Sequence, residues 1–345
     1  MKYVIKQNNI PSPFTVHGMR VDFSRFPLEI GQKVSPNVAG LSQLSTGGRI
    51  RFMTNSKSIT YTVEILDTNL NCASDVLSDG IYCGKIEPKN YDTDKIMSGT
   101  LSLCPDGIES EDKMKLITIF VPRTARLVKI EIELDDGAKL EKAPDYAIKK
   151  PIVYYGSSIT QGACTTTPSK AYTALVSERL GADHINMGFG GSAMGEEAMA
   201  EYIASLDMSC FVLDYDYNAP SIDHLKATHK RFFDIIREKN PTLPIMIMSG
   251  ICPGGGSIGM YQRRRVIMDT FHQALDNGDN YVDFINGDYL LGNYDLETCV
   301  LEGDVHPNEK GFGRMADVVA PRLAELLKRT GTVEVKDVKL IADAL

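Results

Sequence analysis

The sequence predicts a chain in two parts. An all-β sandwich covers residues 1–148, and a three-layer α/β/α domain with five parallel strands covers 149–330, leaving a tail at 331–345. Three observations carry this. Up to about residue 148, apolar residues alternate with a period of two in short runs. After Lys150, continuous apolar runs alternate with stretches of helical spacing. Between the two lies "EKAPDYAIKKP" (141–151), polar and carrying two prolines, which reads as a linker.

The first part is marked by "RIRFMT", "SITYTVEIL" (58–66), "LITIFV" (116–121) and "RLVKIEIEL" (126–134), with turn-prone pieces such as "STGG", "PDG" and "DDG" between them. Alternation with frequent turns is the pattern of antiparallel strands with one buried face, most simply a sandwich. In the second part the runs are "PIVYYG" (151–156), "HINMGF" (184–189), "CFVLDY" (210–215), "PIMIMS" (244–249) and "YVDFIN" (281–286). Helical spacing fills 169–180, 195–205, 223–239 and 261–277, and a last helix follows at about 311–329. Strand and helix alternating at this spacing give a parallel sheet covered on both faces. The tail "GTVEVKDVKLI" (331–341) alternates like a strand, to pair with the first domain or with a second subunit; a homo-oligomer is left open.

Composition narrows the function. A net charge of −8 offers no basic footprint for nucleic acid. The seven cysteines are scattered, odd in number and never spaced C-x-x-C, which argues against a zinc site or a disulfide framework and suits a reducing compartment. No run of about 18 apolar residues could span a membrane, and "MKYVIKQNNIPSPF" lacks the apolar core of a signal peptide. The expectation is a cytoplasmic protein with neither nucleic acid nor membrane as partner.

In doubly wound folds ligands sit beyond the carboxyl ends of the strands. Four loops there, or just before the last helix, carry polar residues suited to acyl transfer. "YYGSSITQGA" (154–163) runs a buried strand into two hydroxyls bounded by glycines, and Ser157 or Ser158 could be a nucleophile. The bland alternative is a turn whose serines cap the next helix. "NMGFGGSAMGE" (186–196) is rich in glycines that let a backbone N–H approach a ligand. In "LDYDYNAPS" (213–221) the Asn218 amide could point at a substrate oxygen, or merely hold the turn. In "LEGDVHPNEKGFGRMA" (301–316) His306 is, of the six histidines, the one placed in a loop entering the last helix, as a general base would be. His224 and His229, five apart in one helix, read as surface residues or helix-end partners. Each signal is weak singly, but Ser, Gly, Asn and His in that order after successive strands are not.

On these blocks the chain resembles the SGNH (GDSL-type) hydrolases over roughly residues 150–330. The resemblance implies a flavodoxin-like domain, preceded here by a jelly-roll-like sandwich. It places the nucleophile at Ser158, with Ser157 where the family has Asp, and the base at His306. It assigns the oxyanion donors to the Ser158 N–H, Gly191 and Asn218, with no metal or organic cofactor. One departure stands out. The family's Asp three residues before the histidine is Gly303 here, flanked by Glu302 and Asp304. Asp304 is favoured to orient the imidazole, with Glu302 or a backbone carbonyl as alternatives. The subgroup with a "YGSSITQG" loop behind a β-sandwich resembles carbohydrate acetyl esterases. The implied substrate is therefore a small-molecule or oligosaccharide ester. The rivals are a thioesterase or lipase-like acyl hydrolase, and a non-catalytic carbohydrate-binding protein with an inactive hydrolase domain.

Overall fold

The computed structural model describes residues 1–67, 72–104, 113–251, 258–292 and 298–332. The chain divides into two compact units. One comprises Met1–Pro27, Ser42–Asp145 and Thr166–Ser169; the other comprises Leu28–Leu41, Tyr146–Thr165 and the chain from Lys170 onward.

Among the described residues the first unit holds ten strands: β1 (Lys2–Lys6), β2 (Thr15–His17), β3 (Arg49–Thr54), β4 (Ser58–Ile65), β5 (Ser74–Ser78), β6 (Ile81–Ile86), β7 (Ile96–Ser102), β8 (Lys115–Phe120), β9 (Leu127–Leu134) and β10 (Leu140–Glu141). They form two antiparallel sheets, β1-β9-β4-β7 and β10-β3-β8-β5-β6, with β2 also on β3. β4 shows how the alternation works. Ile59, Tyr61, Val63 and Ile65 turn inward. On the other face Thr60 and Thr62 pair with Thr100 and Ser98 of β7, each at 2.7 Å. Ile59, Tyr61, Ile130 and Ile132 of the first sheet share one core with Ile50, Phe52, Ile117 and Ile119 of the second. Each such buried side chain contributes about 1.5–3 kcal/mol, so the inward face decides the register.

The second unit contains α1 (Leu28–Val34), α2 (Pro36–Ser42), β11 (Ile148–Gly156), α3 (Ser158–Gln161), α4 (Tyr172–Leu180), β12 (Ala182–Gly188), α5 (Glu197–Ala204), β13 (Cys210–Asp214), α6 (Ile222–Lys239), β14 (Ile245–Met248), α7 (Ile258–Asp276), β15 (Val282–Ile285) and α8 (Glu309–Arg329). The five strands run parallel in the order β12-β11-β13-β14-β15. Adjacent residues of β11 show the layers. Tyr154 meets Tyr172 of α4 edge-on at 5.9 Å, while Tyr155 stacks on Phe232 of α6 at 4.5 Å. Successive strand residues face opposite ways, so both sheet faces are covered by helices. Because β11 lies between β12 and β13, chain direction across the sheet reverses there, and a crevice opens at the carboxyl ends.

Two expectations need correction. β11 begins at Ile148, inside the stretch read as a linker, and absorbs Pro151 at a shift of register between Ile148 and Ile152. Proline supplies no N–H, and the irregularity accommodates that. The segment before "RIRFMT" is not all strand. It forms the α1–α2 pair, with Gly31 so close to Ala39 that a Cβ would lie 2.7 Å from its Cα. The strand reading of 331–341 falls almost wholly outside the described residues. Among the described residues no helix is long and apolar enough to cross a membrane.

Candidate active site

β11 delivers two serines to the crevice, and local hydrogen bonding separates their roles. Ser157 is the N-cap of α3. It is 1% exposed, and its Oγ accepts from the Ile159 N–H at 3.2 Å. A cap hydroxyl so engaged is structural. Ser158, the first residue of α3, is half-buried, and its Oγ lies 2.7 Å from Nε2 of His306. The short helix is held against β12 by close backbone approach. A Cβ on Gly188 would fall 2.2 Å from the Gln161 nitrogen.

His306 comes from the loop before α8. The ends of that loop are closed by the Leu301 N–H donating to the His306 carbonyl at 3.1 Å. Asn308 caps α8, its side chain accepting from the Gly311 N–H at 3.1 Å. Within the loop the Asp304 N–H donates to the Leu301 carbonyl at 3.1 Å, and Gly303 takes φ +71°. That turn needs a residue tolerant of positive φ, and glycine stands there at no steric cost. It folds the Asp304 carboxylate back on the next two residues. Oδ1 accepts from the Val305 N–H at 2.6 Å, the His306 N–H at 3.3 Å and His306 Nδ1 at 2.7 Å. The bond from His306, with the backbone bonds, holds the Asp304 carboxyl below the usual carboxylate range. An ionised carboxylate only accepts, so Nδ1 carries the proton and Nε2 presents its lone pair to Ser158. Glu302 is exposed and makes no hydrogen bond or ion pair with a described residue.

Around Ser158 the loops lock together. The Phe189 N–H donates to the Gly156 carbonyl at 2.8 Å, and Gln161 Oε1 accepts from the Gly190 N–H at 2.9 Å. One Nδ2 hydrogen of Asn218 goes to the Phe189 carbonyl at 2.8 Å. That bond orients the amide and leaves its second hydrogen available. Gly191 is exposed at the tip of the β12 loop, and among the described residues neither its N–H nor that of Ser158 has an acceptor.

Beneath them lies a buried polar layer that sequence reasoning missed. Asp214 Oδ2 accepts from Thr160 Oγ1 and from the Tyr172 hydroxyl, each at 3.0 Å. Its carbonyl accepts from the Ser157 N–H at 3.3 Å. Burial, and then the neighbouring Asp216, push the Asp214 carboxyl up to about 8. Asn186 donates to the Thr160 carbonyl at 2.8 Å, and its side-chain oxygen takes the Gly188 N–H at 2.9 Å. Thr160 and Gln161 stood inside the "GSSITQG" block, the one signal that could have pointed to this layer.

The reading of His224 and His229 as surface residues is half corrected. His224 reaches the Met194 carbonyl at 2.7 Å, but His229 is 1% exposed and bonded to Thr270 Oγ1 at 2.8 Å, where burial pushes it down to about 3. The His229 side chain thus reaches across from α6 to α7. Among the described residues one group of three metal-type donors occurs: Cys164, Asp304 and His306, with ligand atoms within 4.8 Å of one another.

The model of the GDSL-like Lipase/Acylhydrolase family matches residues 149–324, just over half of the chain. No curated protein sequence matches. A GDSL-like protein from Bacteroides ovatus ATCC 8483 has a similar structure at 24% identity and TM-score 0.80, over 95% of this chain and 98% of that one. The salicylyl-acyltransferase SsfX3 of a tetracycline biosynthetic pathway is similar at 21% identity and TM-score 0.74, over 94% and 97%. An acetyl xylan esterase from the rumen bacterium Butyrivibrio proteoclasticus is similar at 15% identity and TM-score 0.61, over 95% and 99%. At these identities the likeness is one of fold.

Proposed function

This chain belongs to the GDSL-like lipase/acylhydrolase family and is a serine ester hydrolase, and we propose that it removes short acyl groups, acetyl above all, from a carbohydrate or similar small ester. The observation that carries the reading is the contact of Ser158 Oγ with His306 Nε2 at 2.7 Å, backed by Asp304 on Nδ1. In the proposed reaction His306 takes the Ser158 proton as Oγ attacks the ester carbonyl. Negative charge on the carbonyl oxygen is met by the N–H groups of Ser158 and Gly191 and by the Asn218 amide. The protonated imidazole hands its proton to the departing alcohol. A water deprotonated by His306 then attacks the acyl-enzyme, and collapse returns Ser158 and the free acid.

The ready-made hydrogen bonds from serine to histidine to aspartate favour catalysis over a binding protein with an idle domain. The carbohydrate reading is supported by the fold shared with the acetyl xylan esterase, which extends over 95% of this chain and 99% of that one. A lipase or thioesterase is the reading it competes with. Hydrolysis of acetyl, butyryl and octanoyl nitrophenyl esters separates them. The proposal expects kcat/KM to fall with chain length and acetylated xylo-oligosaccharides to release acetate. A preference for octanoyl esters would overturn the acetyl assignment, and no turnover of any ester would overturn catalysis itself.

A further inference from the structure

The loop that follows the nucleophile turn brings a thiol to the imidazole. The Gly162 N–H closes α3 on the Ile159 carbonyl at 2.9 Å, and the Ala163 N–H donates to the Ser158 carbonyl at 2.8 Å. Thr165 Oγ1 turns back to the Gly162 carbonyl at 3.0 Å. Held between these bonds, Cys164 takes φ +71° and faces the loop of Asp304 and His306. The hydrolytic reaction proposed above gives this thiol nothing to do.

We infer that Cys164, His306 and Asp304 form a binding site for a thiophilic divalent cation, Zn²⁺ above all, whose occupation switches the esterase off. The switching half of this inference rests on the serine-hydrolase reading; the binding half does not. A sulfur, an imidazole nitrogen and a carboxylate oxygen are the donor types that zinc takes, at about 2.3 Å for sulfur and 2.0–2.2 Å for the others. Tetrahedral bonds of those lengths set the donors roughly 3.3–3.6 Å apart. Here all three lie within 4.8 Å of one another, so the site closes by side-chain rotation of about an ångström. Cys164 and His306 are half-buried and Asp304 is exposed, which leaves a path from solvent and room for water as a fourth ligand. The thiol proton passes to solvent as the Zn–S bond forms, and the carboxylate binds without proton loss. If Nε2 takes the metal it gives up Ser158; if Nδ1 takes it, the Nδ1 proton moves to Nε2, which then has no lone pair for Ser158, so the base is disabled either way. The same donor set disfavours Mg²⁺ and Ca²⁺, which take oxygen ligands.

The test uses the full chain, stripped of metal with a chelator and titrated with Zn²⁺ or Mg²⁺ alone during nitrophenyl acetate hydrolysis. Inhibition by Zn²⁺, reversed by chelator and absent with Mg²⁺, is expected. In Cys164→Ser the zinc concentration for half-inhibition should rise at least about ten-fold, the loss that even an outer partner of a metal ligand brings. Should Cys164→Ser fail to fold, Cys164→Gly, which suits the positive φ, takes its place. A second readout needs no activity. Co²⁺ added to Ser158→Ala protein should give the near-ultraviolet charge-transfer band of a thiolate–cobalt bond, and that band should vanish when Cys164 is also replaced. Equal zinc sensitivity with and without the Cys164 thiol, or a cobalt spectrum lacking the thiolate band, overturns the site. An inactive wild type that still gives the band removes the esterase reading and keeps the metal site.

Discussion

The Nδ1–H of His306 donates to Asp304 Oδ1 at 2.7 Å, although Val305 alone separates the two residues in the chain. The left-handed turn at Gly303 makes so short a connection reach. In the reaction we propose, the carboxylate fixes the tautomer that leaves Nε2 basic and stabilises the imidazolium when it forms. Asp304→Asn should fold normally and lower kcat by roughly 10²–10⁴-fold, because an amide accommodates the wrong tautomer. Glu302→Gln should stay within about two-fold of wild type, as an exposed residue without partners among the described residues would. Steady-state kinetics of the two variants on nitrophenyl acetate check this, and a mild Asp304→Asn with a crippled Glu302→Gln would reverse the assignment.

Asn218→Ala should lower kcat by about 10²–10³-fold with KM little changed, since an oxyanion donor acts on charge that develops in the transition state. Its bond to the Phe189 carbonyl is lost as well, so thermal unfolding should be followed beside the kinetics. An unchanged kcat would remove Asn218 from the oxyanion hole.

Asp214 gives the fold a pH dependence of unusual sign. Its carboxyl titrates at about 8 in the folded chain and near 3.9 when unfolded. Between those values the folded state holds a proton that the unfolded state has released. This group's contribution to stability is therefore full below about pH 4 and is lost as the pH rises toward about 8, by up to about 1.4 kcal/mol per pH unit. Urea unfolding at several pH values across this window should show wild-type stability falling more steeply than that of Asp214→Asn. Parallel curves would mean that the buried carboxyl is ionised throughout.

Two glycines should respond in opposite ways to an added methyl group. Gly188→Ala forces a Cβ to 2.2 Å from the Gln161 backbone, and a cost of about 1–3 kcal/mol or more follows from overpacking. Gly313 lies within α8 with nothing within 4 Å of its Cβ position, and Gly313→Ala should stabilise by about 0.5–1 kcal/mol. Midpoints of thermal unfolding decide both signs.

The parallel sheet and the loops at its strand ends were legible because buried strands and the turns after them leave local signatures: "PIVYYG" into "SSIT", and "CFVLDY" into the Asn218 turn. What escaped depends on contacts distant in sequence. Nothing in "LEIGQKVSPNVAGLS" announced α1 and α2 against a background of strands, since their pairing rests on the approach of Gly31 to Ala39. His229 looked solvated because its partner Thr270 lies 41 residues away. Asp214 read as an ordinary strand end, and only the fold sets Thr160 and Tyr172 over its carboxylate. That Asp304 and not Glu302 lies against the imidazole depends on the backbone angle of Gly303, which spacing alone does not disclose.

The central claim is that Ser158, and not its neighbour Ser157, is the nucleophile, and paired alanine variants test it most directly. kcat for nitrophenyl acetate should fall by about 10⁶-fold in Ser158→Ala, the scale of losing an activated serine. Ser157→Ala should keep a substantial part of the wild-type rate, having lost only a cap bond to Ile159 worth about 1 kcal/mol of stability. A dead Ser157→Ala beside an active Ser158→Ala would contradict the account.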